Sequence, residues 1–259
     1  MKPLVLITND DGIDSPGLLA IAEALQPFAD ILISAPATQQ TSMGRAFPRN
    51  EKMGIITSRT MNVNGQSIIG YAIQASPAFS VTHGILELAD RTPDLIVSGV
   101  NYGENLGTTL TCSGTLGAIL EGSTFHIPGV AFSIPAEISI QRSADFPSVD
   151  WESVKKVVVF WCKKLLKERI IYGTNLLNIN IPTPVPDLQN YLYTKQSKQN
   201  FFMSVKPEAR DFSKRFEFQT IRSFSIDSLD PKDDIYAMFV KKCISVTPIV
   251  HDLTAPALF

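Results

Sequence analysis

The amino-acid sequence predicts an α/β protein built on a doubly wound, mostly parallel sheet, and three observations carry that prediction. Short apolar segments alternate with helical ones through the first 135 residues. The segments LVLIT, DILIS and DLIVSG are apolar along their length instead of at alternate positions, as strands buried on both faces are. Ser15-Pro16 and Ser76-Pro77 repeat one helix-start signature, a serine cap followed by proline at the first helical position.

PLVLITN reads as the first strand, and Ser15 then opens a helix over LLAIAEALQPF. ADILISAP is a second buried strand. MNVNGQSIIGYAI reads as a hairpin turning on Asn64-Gly65. Ser76-Pro77 starts a helix over AFSVTHGILELAD, DLIVSG at 94–99 is a strand, GTLGAILEG a short helix from 114, and PGVAFSI at 128–134 a strand. An amphipathic helix, WESVKKVVVFWCKKLLKERI, precedes the strand NLLNINIP. Beyond 184 the chain turns polar and irregular, with strand-like pieces near 214–224, 235–240 and 243–249. Residues 1–183 are expected to form the core, 184–240 an extension or oligomerisation arm, and 241–259 a return to the core.

Composition narrows the partners. A net charge of −2 carries no footprint for nucleic acid or for an anionic membrane, so a small-molecule partner is expected. No apolar run approaches the roughly 20 residues of a spanning helix, and the N-terminus lacks a signal-peptide pattern. Cys112, Cys162 and Cys243 are odd in number and widely spaced, which fits free thiols in a reducing compartment and a cytoplasmic location.

In open sheets of this kind ligands sit beyond the carboxyl ends of the strands. The first strand ends there on Asp10-Asp11. Adjacent carboxylates repel, and a divalent cation relieves that repulsion by favouring both anions; an N-cap and a turn would also produce an isolated Asp-Asp. Ser98 to Gly107 reads SGVNYGENLG, a glycine- and asparagine-rich loop suited to close backbone approach to a ligand. Its Asn oxygens suit hard cations, although an ordinary Asn-Gly turn has the same composition. Cys112-Ser113-Gly114-Thr115 opens a helix whose free N–H groups face an anion, or are simply capped by Ser113. The loop at 37–46 adds the hydroxyls Thr41 and Ser42.

Sharper alternatives fail on spacing. The chain has no GxxxxGK[ST] loop, GxSxG elbow or HExxH helix. What remains is oxygen ligands, a hard cation and an anion pocket, a combination suited to metal-assisted hydrolysis of a phosphate ester.

NDDGIDSPG, SGVNYGENLG, SGTLGAILEG, LLNINIP and SVTP, in that order, resemble the SurE survival-protein family of nucleotidases and acid phosphatases over about residues 4–254. The resemblance implies a Rossmann-like three-layer domain, a C-terminal β-rich arm that serves homodimers, and divalent-metal-dependent hydrolysis of nucleoside 5′- and 3′-monophosphates. One Mg²⁺ or Mn²⁺ is implied, with Asp10, Asp11, Asn101 and a loop hydroxyl as ligands. The family's usual serine falls here on Thr41, with Ser42 adjacent, and Thr41 is the expected ligand. Asp10 and Asp11 are the expected catalytic pair, with Asp11 the expected orienter of the attacking water. Asn105, Ser113, Gly114 and Thr115 are expected to hold the phosphate. Thr108 to Cys112 depart from the family's acidic residue and tyrosine. A covalent aspartyl-phosphate route, a non-catalytic nucleotide or metal sensor, and a broader phosphatase or exopolyphosphatase stay open as alternatives.

Overall fold

A computed structural model describes residues 1–138, 140–141, 146–171 and 173–254. The elements run β1 (Leu4–Thr8), α1 (Pro16–Leu25), β2 (Asp30–Pro36), β3 (Ile56–Val63), β4 (Gln66–Ile73), α2 (Pro77–His83), β5 (Leu95–Tyr102) and α3 (Gly114–Thr124). They continue with β6 (Gly129–Ile134), α4 (Trp151–Glu168), β7 (Leu176–Asn180), β8 (Tyr191–Tyr193), β9 (Phe202–Ser204), β10 (Thr220–Arg222), α5 (Asp234–Tyr236) and β11 (Ile244–Ile249). The main sheet has nine strands in the order β3-β4-β2-β1-β5-β6-β7-β11-β8. From β4 to β7 every pairing is parallel. The β3–β4 hairpin and the β7–β11 pair are antiparallel.

Local signals account for these elements. Ser15 and Ser76 cap α1 and α2 through their side-chain oxygens, each ahead of a proline. Asn64 and Gly65 both take positive φ, 49° and 79°, which a two-residue hairpin turn with the native twist requires.

Strand side chains alternate between two helical layers. Val5, Ile7, Val97 and Phe132 pack with Leu18 and Ile21 of α1 and Val157 and Trp161 of α4. Leu6, Ile96 and Ala131 face Val81 of α2 and Leu116 and Ile119 of α3. Each fully buried aliphatic side chain of this kind contributes roughly 1.5–3 kcal/mol.

Within 184–240, β8 pairs parallel with β11 at the edge of the main sheet, while β9 and β10 form a separate two-stranded ribbon. The strand expected near 214–224 shrinks to Thr220–Arg222. The one expected at 235–240 is instead helical: α5 runs into a wider turn over Ala237–Lys241. Ile235 and Met238, three residues apart, both bury against Leu106 and Phe201, a spacing a helix satisfies and a strand does not. Residues 255–259, the end of the segment expected to return to the core, lie outside the described residues.

Candidate active site

β1, β2 and β5 leave the sheet on one edge, and their exits build the site. Asn9 is fully buried and its side-chain amide donates to the Gly12 carbonyl at 2.9 Å, closing the turn that carries Asp10 and Asp11. Gly12 has φ +96°, and a Cβ there would press on the Thr38 carbonyl carbon at 3.2 Å. Glycine is therefore needed where the first exit meets the second. Gln40 N donates to the Asp10 carbonyl at 2.7 Å, tying the 37–46 loop to the carboxylates. On β5, Gly99 has φ +124°, and a Cβ would collide with the Phe132 carbonyl. The β5–β6 register shifts between Ser98 and Asn101, where the strand re-aims toward the edge.

Asp10 and Asp11 are 5% and 6% exposed. Burial pushes Asp10 up to about 6, against the Thr115 hydroxyl, which donates to Asp10 Oδ1 at 2.9 Å. Burial, and then the neighbouring Asp10 charge, holds Asp11 well above the usual carboxylate range, although Tyr102 N donates to its Oδ2 at 3.2 Å. Among the described residues neither carboxylate forms an ion pair with a lysine, arginine or histidine.

A cavity of about 510 Å³ opens beside Asp10, and Thr41, Ser42, Asn101, Asn105 and Ser113 share its wall. The Asn101 amide nitrogen donates to the Gly103 carbonyl at 2.5 Å, which leaves its oxygen as the acceptor. Thr41 Oγ1 donates to the Gln141 carbonyl at 2.9 Å and retains lone pairs. Ser113 caps α3 by accepting from Leu116 N at 3.1 Å, at the positive end of the helix dipole. Gly114 lies against Asp10, where a Cβ would come within 2.9 Å of Asp10 Cβ. Asp11, Gly114 and Thr115 do not line this cavity, although Gly114 and Thr115 both adjoin Asp10. Asn105 is a special case. Thr115 gives its proton to Asp10, so it accepts from Asn105 Nδ2 at 3.2 Å, and the same nitrogen donates to Ser133 Oγ at 2.9 Å. Asn178 and Asn180 hold the Asn105 backbone carbonyl, each at 2.9 Å.

Several site residues carry no sequence signal. Glu104, in the middle of SGVNYGENLG, is buried and pairs with Arg222 at 3.2 Å. Phe202, Met203, Phe218 and Thr220 bring an apolar wall from the arm to the same cavity. Their approach depends on a distant crossing of the chain that no local pattern announces.

The donor set fits a hard divalent cation. Two buried carboxylates lack a cationic partner among the described residues and stand beside neutral amide and hydroxyl oxygens, the ligand chemistry of Mg²⁺, Mn²⁺ or Ca²⁺. Among the described residues no group of three or more His, Cys, Asp and Glu side chains could hold a metal ion. A site here accordingly depends on the neutral oxygens as well.

Fold and site together define a doubly wound α/β protein with paired carboxylates after its first strand and a helix start opposite them. The profile of the Survival protein SurE family matches residues 5–203. 5′-Nucleotidase SurE of Methanoculleus marisnigri is 35% identical over 99% of this chain and 95% of its own length. The protein of the same name from Methanococcoides burtonii is 35% identical over 100% and 97%. The crystal structure of the SurE protein from Aquifex aeolicus superposes with a TM-score of 0.75 at 28% identity, covering 99% of this chain and 97% of that one. The chain belongs to the SurE family. Among the described residues no helix is long and apolar enough to cross a membrane.

Proposed function

We propose that the protein is a 5′-nucleotidase that hydrolyses nucleoside 5′-monophosphates, and 3′-monophosphates as well, to nucleoside and phosphate with one Mg²⁺ or Mn²⁺. The full-length likeness to relatives named 5′-nucleotidase supports the reaction class. The observation that carries the metal dependence is the pair of buried carboxylates with raised pKa and no cationic partner among the described residues.

Asp10, Asp11, Asn101 and Thr41 would hold the ion, with Ser42 next to Thr41 on the same wall. When bound, such an ion supplies Lewis-acid polarisation of a phosphate oxygen and activation of the attacking water. Ser113 and the first N–H groups of α3 face the remaining phosphate oxygens with the positive end of a helix dipole. One carboxylate of the pair would orient the attacking water, and Asp11 is the one the sequence favours. Tyr102 N donates to Asp11 Oδ2 and so steadies that carboxylate for the ion. Asn105, which lines the cavity, would hold the phosphate with Ser113, Gly114 and Thr115, and the Thr115 hydroxyl also donates to Asp10 Oδ1. The polar end of the cavity suits phosphate. The end lined by Phe202, Met203 and Phe218 suits the nucleoside. Exposed Phe212, Phe216 and Ile226 on the arm support a homodimer formed through it, in a cytoplasmic setting.

The experiment is phosphate release from a panel of 5′- and 3′-nucleoside monophosphates with Mg²⁺ or Mn²⁺, against a chelator control. Release that depends on the metal supports the reading. Nucleotide binding without release would favour the sensor, and release unaffected by chelation would remove the metal.

A further inference from the structure

Glu104 lies in the loop between Asn101 and Asn105, and its side chain is 1% exposed. A carboxylate so deeply buried is costly unless a cation or hydrogen-bond donors compensate it. Here a cation arrives from far along the chain. Arg222 Nη2 donates to Glu104 Oε1 and Oε2 at 3.2 and 3.4 Å and to the Ala136 carbonyl at 3.4 Å. Its guanidinium also stands 5.8 Å from the ring centres of Phe201 and Phe239. Arg222 is the register partner of Phe202 in the β9–β10 ribbon, and Phe202, Met203, Ser204 and Thr220 of that ribbon line the cavity. One guanidinium thus joins the loop that carries Asn101 and Asn105 to the ribbon that forms the cavity's apolar wall.

We propose that Arg222, acting through Glu104, is a positioning residue that fixes the ribbon over the cavity and sets affinity for the nucleoside end of the substrate. The inference rests on the nucleotidase reading and deepens it. Glu104 itself borders the cavity that Asp10 borders. Without Arg222 the buried Glu104 loses its cationic partner beside the cavity, while the ribbon loses its tie to the loop. Both consequences act on substrate binding, not on bond cleavage.

Steady-state hydrolysis of AMP, and of glycerol phosphate as an ester without base or ribose, tests this in the full chain. Arg222→Met is expected to raise KM for AMP at least tenfold with kcat within threefold, and to raise KM for glycerol phosphate less. Arg222→Lys should recover most of the change, whereas Glu104→Gln combined with Arg222→Met should recover only the part due to Glu104 losing its partner, since that pair still lacks the tie. An unaltered KM in folded Arg222→Met, a loss confined to kcat, or a double variant with the wild-type KM would overturn the proposal. Hydrogen exchange supplies a readout that needs no turnover: amides of Phe202–Ser204 and Thr220–Arg222 should exchange faster in Arg222→Met and in the double variant, and near the wild-type rate in Arg222→Lys. Equal rates in all these proteins overturn the clamp. Faster exchange with no hydrolysis by the wild type would instead sink the nucleotidase reading and leave the clamp standing. If Arg222→Met fails to fold, Arg222→Lys and the double variant are judged by the same two measurements.

Discussion

Replacing Asp10 with Asn should stabilise the metal-free protein while abolishing its activity. In the unfolded chain Asp10 loses its proton near the usual 3.8, whereas in the folded protein burial delays this to about 6. Between those values the folded state binds more protons than the unfolded one, so stability falls as pH rises through the window. The full cost stands above it. A shift from 3.8 to about 6 corresponds to about 3 kcal/mol at pH 7.5 and about a third of that at pH 4.5. An Asn at position 10 keeps an acceptor for the Thr115 hydroxyl and carries no charge to bury. Thermal unfolding in the presence of a chelator reads the difference: at roughly 2–4 °C per kcal/mol, Asp10→Asn should melt ~6–12 °C above the wild type at pH 7.5. The gain should shrink at pH 4.5 and should also shrink when Mg²⁺ or Mn²⁺ binds the wild type. Hydrolysis should fall at least ~10²-fold. A variant no more stable than the wild type at pH 7.5, or a gain independent of pH, would refute charge burial as the cost the site carries.

Gly114→Ala falls at the first position of α3, where the interior propensity gain over glycine does not apply in full. It sets a methyl 2.9 Å from Asp10 Cβ, so the melting temperature should not rise and hydrolysis should drop at least ~10-fold. Ser113→Ala removes the cap of α3 and should cost about 1 kcal/mol by thermal melting, with a rise in KM as the helix start frays. Metal affinity, followed by calorimetric titration of Mn²⁺, should fall as pH drops below about 6, because Asp10 then holds a proton that the ion must displace. An affinity constant from pH 7.5 to pH 5 would contradict that assignment.

The parallel core was legible because its cues are local. Apolar runs such as Leu4–Thr8 and Leu95–Ser98 bury both faces, and Ser15-Pro16 and Ser76-Pro77 mark helix starts without help from the rest of the fold. Asp10, Thr41, Asn101, Asn105 and Ser113 converge on one cavity because each lies at or beyond the carboxyl end of a strand or opens a helix, and the sheet topology does the rest. The arm was less legible. Ile235 and Met238 form a helical turn because Leu106 and Phe201 receive them, and that partner is more than a hundred residues away for Leu106. Glu104 reads from sequence as one more polar loop residue. Its meaning depends on Arg222, 118 positions later, and on burial that no composition reveals.

The hydrogen-bond chain beside the cavity shows why a site with costly charges can still be rigid. A carboxylate at Asp10 can only accept, so Thr115 must donate to it. Thr115, having spent its proton, must accept from Asn105, whose amide then turns its nitrogen inward toward Ser133. Asn180 completes the frame by accepting from Asn105 N and donating to Asn105 O, each at 2.9 Å, from a fully buried position. The side-chain polarities from Asp10 through Thr115 to Asn105 follow from one negative charge. The charge that destabilises the fold by being buried is therefore also what gives its supporting network a single direction. Removing the charge and keeping the shape releases that constraint, so Asp10→Asn should gain stability and lose alignment together. A site tuned for stability alone would have placed a neutral side chain there and left Thr115 free to face either way.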